Sequence, residues 1–260
     1  MPIRIEKTQA IVLRYVPHGN TSRIVTWLTP DHGRIGTMIK GALRPKSPFL
    51  GQYDLFYTCE LLYYLHHRSE LHLAKECCPL KIRPALRQHW PATALASYLT
   101  DLAARVSPAQ APQSFLFHWL NSALDALAEA KGPLLNLMIW HELALLSRLG
   151  LAPRLTTCIE CHAPLRADRA AARFSHQRGG LLCASCAQRD GQPALPIPPS
   201  ALAILRNWQQ APTLETAQRT RCQPGQMAVV ERITGEFLRY HVDLPLPSRD
   251  IALAITKRAS

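Results

Sequence analysis

The sequence predicts an α+β multidomain protein: an N-terminal β-barrel followed by an all-α helical domain that carries an inserted four-cysteine finger. Three observations support this prediction. Short apolar runs separated by turn residues fill about the first 80 residues, helical apolar spacing follows, and two Cys-x-x-Cys pairs interrupt the helical part. With 260 residues, 47% of them hydrophobic, the chain can bury a core without disulfide bonds.

The predicted barrel occupies residues 1–80. The turn residues Thr29-Pro30-Asp31-His32-Gly33 separate two β-branched runs, and residues 41–51 are rich in proline and glycine. Strand spacing of about 8–12 residues is typical of a small barrel or a sandwich, and the short length favours an OB-fold barrel. The strand candidates are residues 10–15, 24–28, 34–40, 53–65 and 70–75.

The predicted helical domain occupies residues 81–260. Proline lies near the start of the first three helix candidates, where a missing N–H costs little. Gly132 and Gly150 lie where helices are expected to end. The helix candidates are residues 91–106, 112–130, 133–149, 200–210 and 225–241, and the apolar residues of the third indicate a helix buried on most sides.

Two cysteine pairs predict a metal site. Two residues between thiols let both sulfurs of a pair reach one tetrahedral ion at about 2.3 Å, and two such pairs form the closed coordination of a structural zinc. We therefore predict one structural Zn²⁺ per chain in a finger at residues 156–188, with the ligands Cys158, Cys161, Cys183 and Cys186. Such a site has no open position for water, which favours a scaffolding role.

Alternatives to this zinc site remain open at the level of sequence. The four cysteines could be reduced and metal-free, and His162 or His176 could supply the fourth ligand. A redox pair is less favoured, because there are two pairs and no βαβ pattern. Cys59, Cys77, Cys78 and Cys222 lack ligand spacing and are expected to be small core residues.

The charge balance indicates a polyanionic partner. Lys and Arg number 30 against 18 Asp and Glu, a net charge of +12, which is typical of nucleic-acid binding and less often of membrane binding. A basic protein that binds no anion is the alternative. No apolar run approaches the ~18 residues of a membrane span, and residues 1–10 lack the apolar region of a secretory signal. We expect a cytoplasmic, nucleoid-associated protein with no membrane partner.

Five cations of the predicted barrel are candidates for phosphate contact. A flexible loop at residues 40–47 can lay its cations along a phosphate backbone, and its glycine permits a close approach. The predicted nucleic-acid-binding residues are Arg23, Arg34, Lys40, Arg44 and Lys46. A solvated loop is the alternative. Tyr15, Trp27, Phe49 and Tyr53 could stack on bases, although strand aromatics more often face the core.

Residues 21–35 (TSRIVTWLTPDHGRI) and 40–47 (KGALRPKS) resemble the N-terminal signature of the bacterial recombination mediator family RecO. Phe174-Ser175 and Gly179-Gly180-Leu181-Leu182-Cys183 are similar to the finger segment of that family. The resemblance covers nearly the whole chain. It departs at Asn20, where the family often has an acidic residue, and at Ala42-Leu43, where the family is often more basic.

The resemblance implies an N-terminal OB-fold and a helical C-terminal domain that carries the finger. It also implies binding of single- and double-stranded DNA and annealing of complementary strands in the RecF pathway of DNA repair. The implied partners are RecR, in some members RecF, and the acidic, apolar-ended C-terminal tail of single-strand binding protein. With them the family loads RecA onto DNA coated by that protein. Zinc is implied by the four cysteines rather than by the family alone.

The sequence favours a protein without enzymatic activity. No Gly-Lys-Ser/Thr sequence forms a P-loop, and His141-Glu142 lacks the second histidine of a zincin motif. The alternative function is a sequence-specific zinc-finger DNA-binding regulator. Against it, Pro164 and the glycine pair Gly179-Gly180 leave no obvious recognition helix between the cysteine pairs. Competition with random DNA would separate the two functions.

Overall fold

A computed structural model describes residues 4–66, 69–109, 111–129, 132–165, 172–211, 213–242 and 245–259. The chain divides into two compact units, residues 1–130 with 248–260, and residues 131–247. The predicted domains, 1–80 and 81–260 with a finger at 156–188, stay predictions, and residues 166–171 of that finger lie outside the described part. Among the described helices, none is both long and apolar enough to traverse a bilayer.

The elements follow the predicted order, with strands first and helices after them. The strands are β1 Arg4–His18, β2 Ser22–Thr29, β3 Gly33–Ile39, β4 Thr58–Leu65, β5 Leu71–Lys81, β6 Arg173–Ser175, β7 Gly180–Leu182 and β8 Leu195–Pro196. The helices are α1 Ala85–Gln88, α2 Trp90–Val106, α3 Ser114–Glu129, α4 Leu134–Arg148, α5 Ala184–Asp190, α6 Pro199–Gln210, α7 Glu215–Arg219, α8 Pro224–His241 and α9 Pro247–Ala259.

The first five strands form a closed barrel in the order β1-β2-β3-β5-β4, because β4 pairs back with β1. All neighbours are antiparallel except β3 and β5, which pair in parallel over three residues each. Burial alternates along β3, so Ile35, Thr37 and Ile39 face the core while the residues between them face outward. The buried Trp27 donates from Nε1 to the Thr37 hydroxyl at 2.8 Å. This barrel and the helices after it confirm the predicted fold class.

The strand limits differ from the predicted ones for local reasons. The fourth strand was expected from residue 53, but β4 begins at Thr58 because the preceding residues form turns, including a bond from Tyr57 N to Asp54 O of 3.1 Å. Strand β1 is longer than residues 10–15, because its first half pairs with β4 and its second half with β2. Sequence periodicity cannot show that one strand serves two neighbours in turn.

The helices of the first unit are attached to the barrel by buried arginine. Arg83, with a side chain 2% exposed, donates from Nε to Asp125 of α3 at 2.7 Å. Its Nη2 donates to Asn121 of α3 at 2.9 Å, and its Nη1 donates to the Thr58 hydroxyl of β4 at 3.2 Å. In the same unit, Ser248 of α9 donates to Asp101 of α2 at 2.6 Å. The buried charge of Arg83 is therefore both paired with a carboxylate and hydrogen-bonded.

In the second unit, α4 packs against α6, α7 and α8, which explains its burial on most sides. The buried Asn136 of α4 donates to the carbonyl oxygens of Ala217 and Thr220, each at 2.9 Å. The short sheet β7-β6-β8 belongs to the same unit, and Phe174 of β6 lies 5.8 Å from Phe237 of α8 between ring centroids. The finger is therefore anchored on the helices that surround α4.

Candidate metal centre and nucleic-acid interface

The four cysteines of the two pairs lie together. The ligand atoms of Cys158, Cys161, Cys183 and Cys186 all fall within 4.8 Å of one another. The sulfurs of Cys161 and Cys183 are 3.9 Å apart, close to the separation of about 3.8 Å that tetrahedral coordination with 2.3 Å bonds requires. This thiol set can hold a metal ion. The described residues that form the group are the four cysteines, and neither His162 nor His176 belongs to it.

Local backbone structure aims both pairs at the same point. In the first pair, Cys158 N donates to Ala163 O at 2.9 Å, and His162 N donates to Cys158 O at 3.0 Å. In the second pair, Cys183 immediately precedes α5, and its sulfur accepts from Cys186 N at 3.4 Å. Cys183 N in turn donates to the Cys158 sulfur at 3.4 Å, which joins the two pairs. A tight turn therefore positions the first cysteine pair, and the start of α5 positions the second pair.

The thiols influence each other's ionisation. Burial raises the pKa of Cys158, but N–H groups of Cys161, Cys183 and Glu160 outweigh it and lower this pKa to about 6. Arg189 lowers the pKa of Cys186, but the neighbouring thiols and burial raise it to about 11. Coordination of a metal ion by all four sulfurs would require all four as thiolates, and the bound ion would itself supply the compensating positive charge.

Arginines hold the finger in place. Arg178 pairs with Glu160 in the first turn and with Asp190 at the end of α5, the latter at 2.6 Å. Arg206 of α6 donates from Nε to Leu155 O at 2.6 Å. His241 of α8 lies 2.8 Å from the carbonyl oxygen of His176. Arg178 and Arg206 therefore make contacts within the fold, which composition alone does not reveal.

Three of the five predicted cations lie on the loop after β3. Lys40, Arg44 and Lys46 are exposed. Among the described residues, no carboxylate forms an ion pair with any of the three. Consecutive turns shape the loop, since Arg44 N donates to Gly41 O at 3.1 Å and Gly41 has a φ of +67°. The loop therefore presents unpaired charge from a defined backbone.

The other two predicted cations are placed differently. Arg23 pairs in register with Ile39, next to the loop, and its guanidinium carbon lies 4.6 Å from the centre of the Tyr15 ring. Arg34 lies at the opposite end of β3, roughly 20 Å from Lys40 at 3.3 Å per residue. Its Nη1 donates to Ala104 O near the end of α2 at 2.9 Å. The structure thus groups four of the five cations and separates Arg34 from them.

The candidate aromatic residues fall into two classes. Trp27 and Tyr53 are 0% and 6% exposed and belong to the barrel core, so they offer no face to a base. Tyr15 and Phe49 are half-buried against that core. Arg14, which is exposed on the outer face of β1, is not among the predicted residues. A lone arginine within an apolar run does not indicate a binding role in the sequence, because only the strand register shows which residues lie beside it.

Comparison with known families gives a consistent result for both parts of the chain. Residues 1–83 match the family model for the recombination protein O N terminal, and residues 87–250 match that for the recombination protein O C terminal. DNA repair protein RecO of Roseiflexus sp. (strain RS-1) is 33% identical over 237 residues, which cover 91% of this chain and 81% of the relative. DNA repair protein RecO of Anaeromyxobacter sp. (strain K) is 31% identical over 94% of each chain, and that of Bacillus subtilis (strain 168) is 29% identical over 78% of this chain and 76% of the relative.

Proposed function

Because the chain belongs to the RecO family, we propose that it is a DNA-binding recombination mediator in DNA repair. In this function it anneals complementary single strands and helps to load RecA onto DNA coated by single-strand binding protein. The proposal includes binding to RecR, to the C-terminal tail of single-strand binding protein and, in some settings, to RecF. Family membership and a net charge of +12 support it.

The observation that carries the proposal is the group of unpaired cations beside the barrel. Annealing breaks and forms no covalent bond. It requires two strands to approach despite phosphate repulsion, and cations permit this by neutralising phosphates and releasing counterions. Lys40, Arg44 and Lys46 are exposed, and Arg23 adjoins them. These four residues are proposed to hold sugar-phosphate backbone without reading the base sequence.

The metal is proposed to be one Zn²⁺ per chain with a structural role. An all-thiol tetrahedral donor set suits zinc, and when bound the ion supplies the positive charge that the thiolates require. Cys158, Cys161, Cys183 and Cys186 would hold it. The finger would then keep its position on α6 and α8 through Arg206 and His241.

The DNA-binding proposal is tested by replacing Lys40, Arg44 and Lys46 with alanine together. We expect weaker binding of a labelled single strand and a slope of log K against log salt that is shallower by about 2, at ~0.7 per lost phosphate contact. The matched control replaces Lys7, Lys75 and Arg219, which are ion-paired with Glu60, Glu76 and Glu215, and removes the same charge.

Two outcomes would contradict the proposal. Equal affinity and slope in the parent and the loop variant would show that the loop does not bind DNA. A parent preference for one sequence by orders of magnitude over random competitor DNA would favour the sequence-specific regulator instead.

A further inference from the structure

The four thiols of the candidate metal site differ in their access to solvent. Cys158 and Cys186 are 0% and 2% exposed, so their sulfurs are shielded from molecules in solution. Cys161 is exposed, and Cys183 is partly exposed. The two accessible thiols therefore come one from each Cys-x-x-Cys pair, and each pair also contributes one buried thiol.

Hydrogen bonds single out one of the accessible thiols. The sulfur of Cys158 accepts from Cys183 N, and that of Cys183 accepts from Cys186 N, each at 3.4 Å. The sulfur of Cys186 accepts from Arg189 at 3.2 Å. Among the described residues, no N–H group donates to the sulfur of Cys161, whose bond is to the thiol of Cys183. Because N–H donors stabilise a thiolate and reduce its nucleophilicity, Cys161 is the most reactive as well as the most exposed of the four.

We propose that Cys161 is an oxidation site for hydroperoxides and that Cys183 captures its oxidised sulfur in a disulfide, which opens the metal site. An accessible thiolate beside a second cysteine is typical of redox-sensitive sites. The two sulfurs are 3.9 Å apart, so they must approach by about 1.9 Å to reach disulfide bonding distance. Cys161 lies in an exposed turn, where its side chain has room for this movement. The inference rests on the proposed zinc site and adds a means of regulating it.

The reaction is a two-electron oxidation. The Cys161 thiolate attacks one oxygen of the hydroperoxide, the O–O bond breaks, and the sulfur becomes a sulfenic acid. The Cys183 thiolate then attacks this sulfur, the S–S bond forms, and the S–O bond breaks to release hydroxide. Together the two thiolates lose two electrons, and the hydroperoxide takes up these electrons and two protons from solvent. With hydrogen peroxide the reduced product is two molecules of water.

This disulfide removes two of the four metal ligands. Cys158 and Cys186 remain, and two thiolates do not complete the tetrahedral coordination of a structural zinc site. Metal binding is therefore lost, together with its contribution to the folding of the finger. A small dithiol reduces the disulfide by thiol exchange and restores all four ligands. The proposed device is therefore reversible.

Peptide mapping of the full chain after treatment with hydrogen peroxide tests which disulfide forms. Trypsin leaves the first cysteine pair in residues 155–166 and the second pair in residues 179–189. A disulfide within either pair leaves these two peptides separate, whereas a Cys161–Cys183 disulfide joins them. We expect joined peptides in which fragmentation locates the bond at these two residues, and release of about one zinc per chain to a zinc-sensitive dye. Dithiothreitol and added zinc should reverse both changes.

Two histidine variants provide the matched comparison. Cys161→His and Cys186→His both keep a Cys3His donor set, which also binds structural zinc, but only the first removes the reactive thiol. We expect peroxide to release zinc about tenfold more slowly from Cys161→His, and within about twofold of the parent rate from Cys186→His. If Cys186→His holds no zinc, the peptide map of the parent decides the test.

Three results would overturn this inference: a disulfide within either pair, equal release rates in the two variants, or zinc retention at a peroxide dose that oxidises the exposed Cys78. A freshly purified parent that contains no zinc would instead overturn the proposed zinc site.

Discussion

His141 is a residue whose burial makes the second unit sensitive to acid. Its ring is 1% exposed within α4, and Nδ1 donates to Leu137 O at 2.7 Å. Desolvation lowers the pKa of His141 to about 4, and the bond to Leu137 opposes this only in part. The unfolded chain then binds a proton at a higher pH than the folded chain does. The stability that the neutral His141 contributes is therefore fully present above about pH 6.5. It is lost as the pH falls towards 4.

We expect the free energy of unfolding of the second unit to fall by about 2 kcal/mol between pH 7 and pH 5 because of this one group. Urea unfolding at the two pH values measures it. His141→Gln should remove that part of the pH dependence, whatever it does to stability at pH 7. The control is His18→Gln, at an exposed histidine of the first unit, and the second unit should keep its pH dependence in that variant. An unchanged pH dependence in His141→Gln would show that His141 is not responsible.

At the same scale, the candidate site was only partly predictable from sequence. The candidate metal ligands were predictable because their spacing is itself the geometric requirement, and the four sulfurs do converge. The sequence shows that the five barrel residues are cations, but it does not show which of them lie near one another. Arg34 and Lys40 are close in sequence, yet β3 places them at opposite ends. Only strand register shows this, and no periodicity in the residues encodes it.

Among the elements, the finger depends on a close approach at one glycine. A Cβ atom at Gly180, the first residue of β7, would lie 2.5 Å from Arg154 O and 2.8 Å from the Ile159 side chain. Gly180→Ala must therefore push β7 away from the first cysteine pair. We expect a cost of about 1–3 kcal/mol and faster loss of metal to a chelator, followed with a zinc-sensitive dye.

The control for Gly180→Ala is Gly225→Ala in α8. A Cβ atom at Gly225 meets nothing within 4 Å, and alanine favours a helix. Metal release should then match that of the parent. If Gly180→Ala also releases metal at the parent rate, the packing of β7 does not control the metal site.

Element prediction was reliable where the periodicity was long. The predicted windows for α2, α3, α4, α6 and α8 agree with the observed helices to within two residues at each end, because each carries several turns of apolar spacing. The strands β6, β7 and β8 have two or three residues each, too few for any pattern to emerge. Helix α9 was also missed, since its large apolar residues alternate at 251, 253 and 255 instead of following helical spacing.

For the molecule as a whole, the candidate metal site and the loop proposed to bind DNA belong to different compact units. The thiols lie in residues 131–247, whereas the loop lies in the unit that contains residues 1–130. A structural ion stabilises the unit that binds it, by coupling metal affinity to folding. We therefore expect metal and DNA affinity to be separable properties of this chain.

Metal removal tests this separation. Freshly purified protein should contain about one zinc per chain by elemental analysis. After chelation, hydrogen exchange should quicken in the described parts of residues 156–188, because metal binding then no longer contributes to the folding of the finger. Affinity for a labelled single strand should stay within about twofold, since the loop cations need no metal. A parallel loss of DNA affinity, restored by added zinc, would show that the finger itself binds DNA. A metal-free preparation in which the finger is still protected from hydrogen exchange would contradict the proposed structural zinc.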